Sequence, residues 1–151
     1  WPAAAAVAWP RSWACPQSRA ASGRGDVEGG PEGLDETQFH AQADRTLACL
    51  HDTIDAAELD CVDDISLEDG VLTVKILDSG SFIINKHFVT KQIWYASPVS
   101  GALYFSVQAD GRWASAARGE LVSVFAEDLA KLCPEAAPPR LDLGPCAAAA
   151  A

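Results

Sequence analysis

Between residues 34 and 133 the apolar positions change period twice, from three-and-four spacing to alternation and back. In the first stretch Phe39, Ala43, Leu47, Leu50, Ile54 and Ala57 recur at three and four, which predicts one helix with a single stripe facing a core. Its start is specified locally. Asp35 is a good N-cap, Gln38 stands three residues on as its capping-box partner, and Leu34 with Phe39 occupy the two positions of a hydrophobic staple.

From Leu59 the pattern turns to short alternating runs: CVDDISL, VLTVKIL, SFIINK, KQIWYAS, ALYFSVQ and RWASAA. They predict six strands. Asp69-Gly70 between the first two marks a tight hairpin, and Asp78, Gly80, the segment 98–101 and Asp110-Gly111 mark later reversals. Connections this short impose antiparallel neighbours. A second helix follows in GELVSVFAEDLAKLC, with Leu121, Phe125, Leu129 and Leu132 on one face and Pro134 as its stop. Helix, meander, helix is the order of an α+β two-layer sandwich, with two helices packed on one face of a roughly six-stranded antiparallel sheet and the other face open to solvent. Strand alternation then puts Ile93 and Tyr95 in the core and Gln92 with Trp94 on the open face. An aromatic of that size on the surface requires a reason.

Composition narrows the class. The 151 residues are 49% apolar and 21% charged, ordinary for one globular domain. The net charge of −10 argues against nucleic acid and for cations or basic protein surfaces as partners. No apolar run is long enough for a membrane span. Five scattered cysteines, Cys15, Cys49, Cys61, Cys133 and Cys146, show no CxxC pair and no disulfide-scaffold pattern, so a reducing compartment fits, with Cys49 and Cys61 expected as inert thiols. Residues 1–33 are expected to be disordered. Their first 25 carry three arginines and no acid, the composition of an organellar transit-peptide remnant, the alternative being a non-folding Ala/Pro-rich start. Residues 34–134 form the predicted domain, and 135–151 read as a low-complexity tail outside it.

Between residues 44 and 69 nine carboxylates face a single basic residue, Arg45. Asp44, Asp52, Asp55, Glu58, Asp60, Asp63, Asp64 and Glu68 are candidate metal ligands, with His40 and His51 as nitrogen donors or as partners of Asp44 and Asp55 one turn later. A belt of this kind is either a solvated, solubility-giving face or a set of weak, labile sites for hard cations such as iron, manganese or calcium. No Gly-rich phosphate loop, HExxH or GxSxG supports conventional catalysis.

LDET at the first helix start, GVLTVKI, the INK turn and KQIWYASPVSG, together with the acidic helix and strand, resemble the frataxin/bacterial CyaY family over residues 34–133. The family's two-helix, one-sheet fold agrees with the architecture read above. What the resemblance implies is an iron-binding effector or iron chaperone of iron–sulfur cluster assembly, acting on the cysteine desulfurase and its scaffold protein. It also implies weakly bound ferrous or ferric iron, a monomer, and the mitochondrial matrix, with a plastid as the alternative. Asp44, Asp52, Asp55, Asp64 and Glu68 fall in the family's acidic ridge; Asn85 and its neighbour Lys86, with Gln92 and Trp94, fall at its partner-binding sheet surface. Family members are also described as ferroxidases, which makes oxidation of ferrous iron at the ridge the alternative function. The chain departs from the family where PxRFD or PxRYD usually follows SPVSG: here Ala102, Leu103, Tyr104, Phe105 and Ser106 stand instead, without the arginine or the acid.

Overall fold

The computed structural model describes residues 34–148. Helix α1 (Glu36–Ala56) begins as its sequence dictates: the Asp35 carboxylate accepts the Gln38 N–H at 2.8 Å, and the Gln38 side-chain oxygen accepts the Asp35 N–H at 3.2 Å. Asp35→Ala is therefore expected to cost about 1 kcal/mol, a fall of roughly 4 °C in the thermal midpoint read by circular dichroism. Phe39, Ala43, Leu47, Leu50 and Ile54 are buried as the stripe requires, and the buried Gln42 and Thr46 are satisfied: Gln42 Nε2 donates to the Gly111 carbonyl and Trp113 Nε1 donates to Thr46 Oγ1 at 3.1 Å.

The strands are β1 (Val62–Glu68), β2 (Val71–Ile76), β3 (Gly80–His87), β4 (Gln92–Ser97), β5 (Gly101–Val107), β6 (Trp113–Ser115) and β7 (Gly119–Glu120). They pair in sequence order as one antiparallel sheet, so the α+β sandwich holds, with seven strands where six were expected. The additional strand is two residues long, too short to leave an alternation in the sequence. The β1–β2 turn has positive φ at both Asp69 and Gly70, as a two-residue hairpin turn of right-handed twist demands. A Cβ added at Gly70 would also overlap the Lys86 side chain.

Helix α2 (Leu121–Leu132) contributes to the same buried core as α1, and the two cover one sheet face. Leu72, Val74, Ile76, Phe82, Ile84, Ile93, Tyr95 and Phe105 point into that layer, where Phe125 lies edge-on to Phe82 at 5.2 Å and to Tyr95 at 6.1 Å between ring centroids. Of the expected α2 face, Leu121, Phe125 and Leu129 are fully buried and Leu132 partly so.

The segment after Cys133, expected to lie outside the domain, instead packs on it. A 3-10 turn (Pro134–Ala136) leads to a short helix α3 (Gly144–Ala148) that touches both α1 and α2, burying Ala136, Leu141, Leu143 and Cys146. Its alanine-rich composition hid four apolar anchors with no regular spacing. The cysteines are also not free thiols: Cys49 is bonded to Cys146 and Cys61 to Cys133. Both pairs are far apart in the chain, 97 and 72 residues, so no spacing motif announces them. The proposed transit-peptide segment and Cys15 lie outside the described residues.

Candidate functional site

Two surfaces gather the candidate residues. On the sheet face away from the helices, register sets Asn85 opposite Trp94 and Trp94 opposite Tyr104, and one step along sets Gln92 between His87 and Ser106. Gln92 Nε2 donates to Ser106 Oγ at 3.0 Å, and His87 stands edge-on to Tyr104 at 5.8 Å. Trp94 is half-buried here, not fully exposed, because its two cross-strand neighbours flank it. The Asn85 Oδ1 atom is sealed from solvent and accepts no hydrogen bond.

Lys86 does not belong to this face. It follows Asn85 by one residue, so its side chain emerges toward the helices, where Nζ donates to Asp44 Oδ1 at 2.6 Å. Tyr104, counted in the sequence as a loss of the family's arginine, is by contrast on the face: it is 47% exposed and directly beside Trp94. Strand parity carried that signal in the sequence.

The turn joining β4 to β5 is locked from beneath by Asp128 of α2, which is fully buried. Its carboxylate accepts hydrogen bonds from Tyr95 OH (3.0 Å), Ser97 Oγ (2.8 Å) and Ser100 Oγ (2.9 Å), with Lys131 Nζ at 3.4 Å. Ser97 Oγ in turn accepts the Val99 and Ser100 N–H groups, and Arg118 donates to Ser100 Oγ. Burial alone would raise the Asp128 pKa, but the bonds from Ser100, Ser97, Tyr95 and Lys131 hold it below the ordinary carboxylate value. Burial, above all, pushes the Tyr95 phenol upward. Sequence reasoning missed Asp128; one acid among the apolar positions Phe125 and Leu129 was the available sign.

The acidic belt is solvent-facing throughout: Asp44, Asp52 and Asp55 on α1, Glu58 and Asp60 after it, and Asp63, Asp64 and Glu68 on β1 are all exposed. Asp55 and Glu58 meet Asp63 and Asp64 across an open groove of about 420 Å³ between the end of α1 and the start of β1, with Ile54, Leu59, Val62 and Ile65 among its lining. Asp44, Asp52, Asp60 and Glu68 are not among its walls. Asp63 pairs with Lys75 at 2.5 Å, and that hydrogen bond is the main reason the lysine is held above its usual pKa. The histidines choose other acids than expected: His51 Nδ1 lies 2.9 Å from Asp52, and His40 lies 3.9 Å from Glu36, one turn earlier. Among the described residues no three carboxylates or imidazoles of the belt bring ligand atoms within 4.8 Å of one another. Oxygen donors so arranged suit hard cations held loosely.

With this geometry in place, comparison with known proteins gives consistent results. The profile of the frataxin-like domain matches residues 32–135. The mitochondrial frataxin homolog of Saccharomyces cerevisiae is 37% identical over 98 residues, covering 62% of this chain and 56% of that protein. The mitochondrial frataxin of Caenorhabditis elegans is 38% identical over 90 residues, covering 56% and 66%. The chain thus spans less than two thirds of the length of either relative. Among solved structures, trimeric yeast frataxin complexed with ferrous iron superimposes with a TM-score of 0.55 at 36% identity, covering 62% of this chain and 86% of that one.

Proposed function

The chain belongs to the frataxin family, and on that premise we propose that it is an iron-carrying effector of iron–sulfur cluster assembly. The sheet face docks on a cysteine desulfurase–scaffold complex while the acidic groove presents weakly held iron. The observation that carries this reading is Trp94 on the uncovered sheet face, set between Asn85 and the exposed Tyr104. A half-buried aromatic flanked across the strands by an amide and a phenol is a rigid anchor with polar groups beside it to fix orientation. The belt supplies the second half, oxygen ligands that release a metal as readily as they take it. Ferrous iron in the yeast relative's structure agrees with that chemistry. The location is mitochondrial, as in the named relatives. Among the described residues no helix is long and apolar enough to cross a membrane.

The test is the rate of sulfide release by a desulfurase–scaffold complex with ferrous iron, measured with and without the chain; stimulation is expected. Its absence would mean that Ala102 to Ser106, where the family's arginine and acid are missing, outweigh the matching residues. A variant neutralising the groove, Asp55→Asn, Glu58→Gln, Asp63→Asn and Asp64→Asn together, is expected to lose ferrous binding in a calorimetric titration while still docking. The same variant tests oxidation, for which acids facing each other from α1 and β1 are the favourable feature: oxygen uptake on iron addition that disappears in the variant would support a ferroxidase. The domain is expected to run as a monomer without iron in light scattering; the trimeric yeast structures make iron-dependent assembly the outcome to watch for.

A further inference from the structure

Cys61 stands just ahead of β1 and Cys133 caps α2, and the fold brings them together with Cα atoms 5.8 Å apart, joined as a disulfide. Glu135, two residues further on, is aimed at the same point. Its Oε1 accepts the Cys61 N–H at 2.9 Å and lies 3.9 Å from the Cys133 sulfur, while Arg140 holds Oε2 at 2.8 Å. The two sulfurs and the carboxylate oxygen lie within 4.8 Å of one another, the one group of three potential metal ligands that converges in this way among the described residues.

The geometry points to a soft-metal site formed by this cluster when its disulfide is reduced: the Cys61 and Cys133 thiolates and the Glu135 carboxylate bind one divalent ion of zinc's softness. A dithiol reductant gives two electrons and two protons to the Cys61–Cys133 bond, becoming a cyclic disulfide and leaving two thiols. The metal then displaces both thiol protons to solvent. In a tetrahedral centre with metal–sulfur bonds of about 2.3 Å the two sulfurs stand roughly 3.8 Å apart, a separation that the same Cα spacing accommodates without moving β1 or α2. Cys133 is fully buried and Cys61 only partly, so the fourth coordination position opens on the Cys61 side.

Charge favours an ion here. Two thiolates and a carboxylate carry −3, a divalent metal reduces this to −1, and the Arg140 guanidinium offsets the remainder while fixing the carboxylate's orientation. Arg140 is itself tied to the Glu58 carbonyl, which anchors the positioning group to the end of α1. The ligand chemistry differs from that of the groove whose acids, Asp55, Glu58, Asp63 and Asp64, lie on either side of Cys61 in the chain. Thiolates select soft and borderline ions, whereas carboxylates in open solvent select hard ones. The chain thereby holds two metal-binding surfaces of different preference side by side. The other disulfide makes no such site: beside Cys49 and Cys146 the polar side chain is the Thr53 hydroxyl, with no carboxylate within the same reach.

The test uses the full chain, reduced with a dithiol that is then removed without oxygen, and titrated with cobalt(II). Expected are a near-ultraviolet thiolate-to-cobalt band and the visible bands of four-coordinate cobalt, saturating at one equivalent and displaced by zinc, with no band from the unreduced protein. Cys61→Ser, at a half-buried position, is expected to remove the thiolate band with an unchanged far-ultraviolet circular dichroism spectrum. Glu135→Gln is expected to weaken binding about tenfold. Cys49→Ser with Cys146→Ser, and Asp63→Asn with Asp64→Asn, are both expected to keep the band, the latter separating this site from the iron-binding groove. No thiolate band in the reduced chain, a band that survives Cys61→Ser, or one lost with Cys49 and Cys146 would overturn the proposal and leave Cys61–Cys133 a structural disulfide only.

Discussion

Trp94→Ala is expected to abolish the stimulation of sulfide release at chain concentrations where the unchanged protein is half-saturating, while leaving the domain folded. A central aromatic anchor of an interface typically contributes 2 kcal/mol or more, so docking should weaken by about thirtyfold or more. The fold should tolerate the change. Trp94 lies on the sheet face away from the helices, outside the layer of Ile84, Ile93, Tyr95 and Phe105, with Asn85 and Tyr104 as its cross-strand neighbours. Ferrous binding should be unchanged, because the acidic groove lies on β1 and the end of α1, whereas Trp94 lies on β4. A variant that lost both stimulation and iron binding would show that the two surfaces do not act separately. Tyr104→Ala should give a smaller effect in the same direction; an equal loss in both variants would make the pair, and not Trp94 alone, the anchor.

Asp128→Ala is expected to be the most destabilising single substitution outside the apolar core, by about 3 to 5 kcal/mol in urea unfolding. It would leave the Tyr95, Ser97 and Ser100 hydroxyls without their shared acceptor, that of Tyr95 buried and those of the two serines partly so. Against a typical total stability of about 5 to 15 kcal/mol, that is enough to unfold a substantial fraction of molecules. Asp128→Asn keeps the shape and one acceptor and should cost less. The acid also predicts a pH dependence. Its pKa is lower in the folded chain than in the unfolded one, so the native state holds the charged form more tightly. The stabilisation is present in full above the unfolded value, near pH 4, and is lost as pH falls through the folded value below it. The urea midpoint should therefore fall below about pH 4 in the unchanged chain, and Asp128→Asn should remove that part of the slope. An identical acid profile for the two proteins would rule out this linkage.

These two residues also differ in how far the sequence revealed them. Trp94 was legible because alternation in QIWYAS fixes its face once Ile93 and Tyr95 are core, and the family resemblance then gave the face a purpose. Asp128 was not, because its partners Ser97 and Ser100 lie about thirty residues away and meet it only when α2 lies across the sheet. Lys86 is a third kind of case. Adjacent strand residues point to opposite faces, so its grouping with Asn85 conflicted with the alternation that had correctly placed Trp94, and the structure gives it to Asp44 instead.

The sequence by itself determined the two main helices, six of the seven strands and their order, the α1 capping box, the Asp69-Gly70 hairpin, the antiparallel meander and the side of the sheet that carries Trp94. Each of these rests on interactions within a few residues or on a strict period, and such information is written locally. Tertiary structure alone decided the pairing of Cys61 with Cys133 and of Cys49 with Cys146, and the docking of Leu141, Leu143 and Cys146 against the helices. It alone placed Asp128 beneath the β4–β5 turn and brought the acids of α1 and β1 across one groove. These contacts join residues separated by tens of positions. Which of them form depends on how helices and sheet pack in three dimensions, and no local pattern of side chains encodes that.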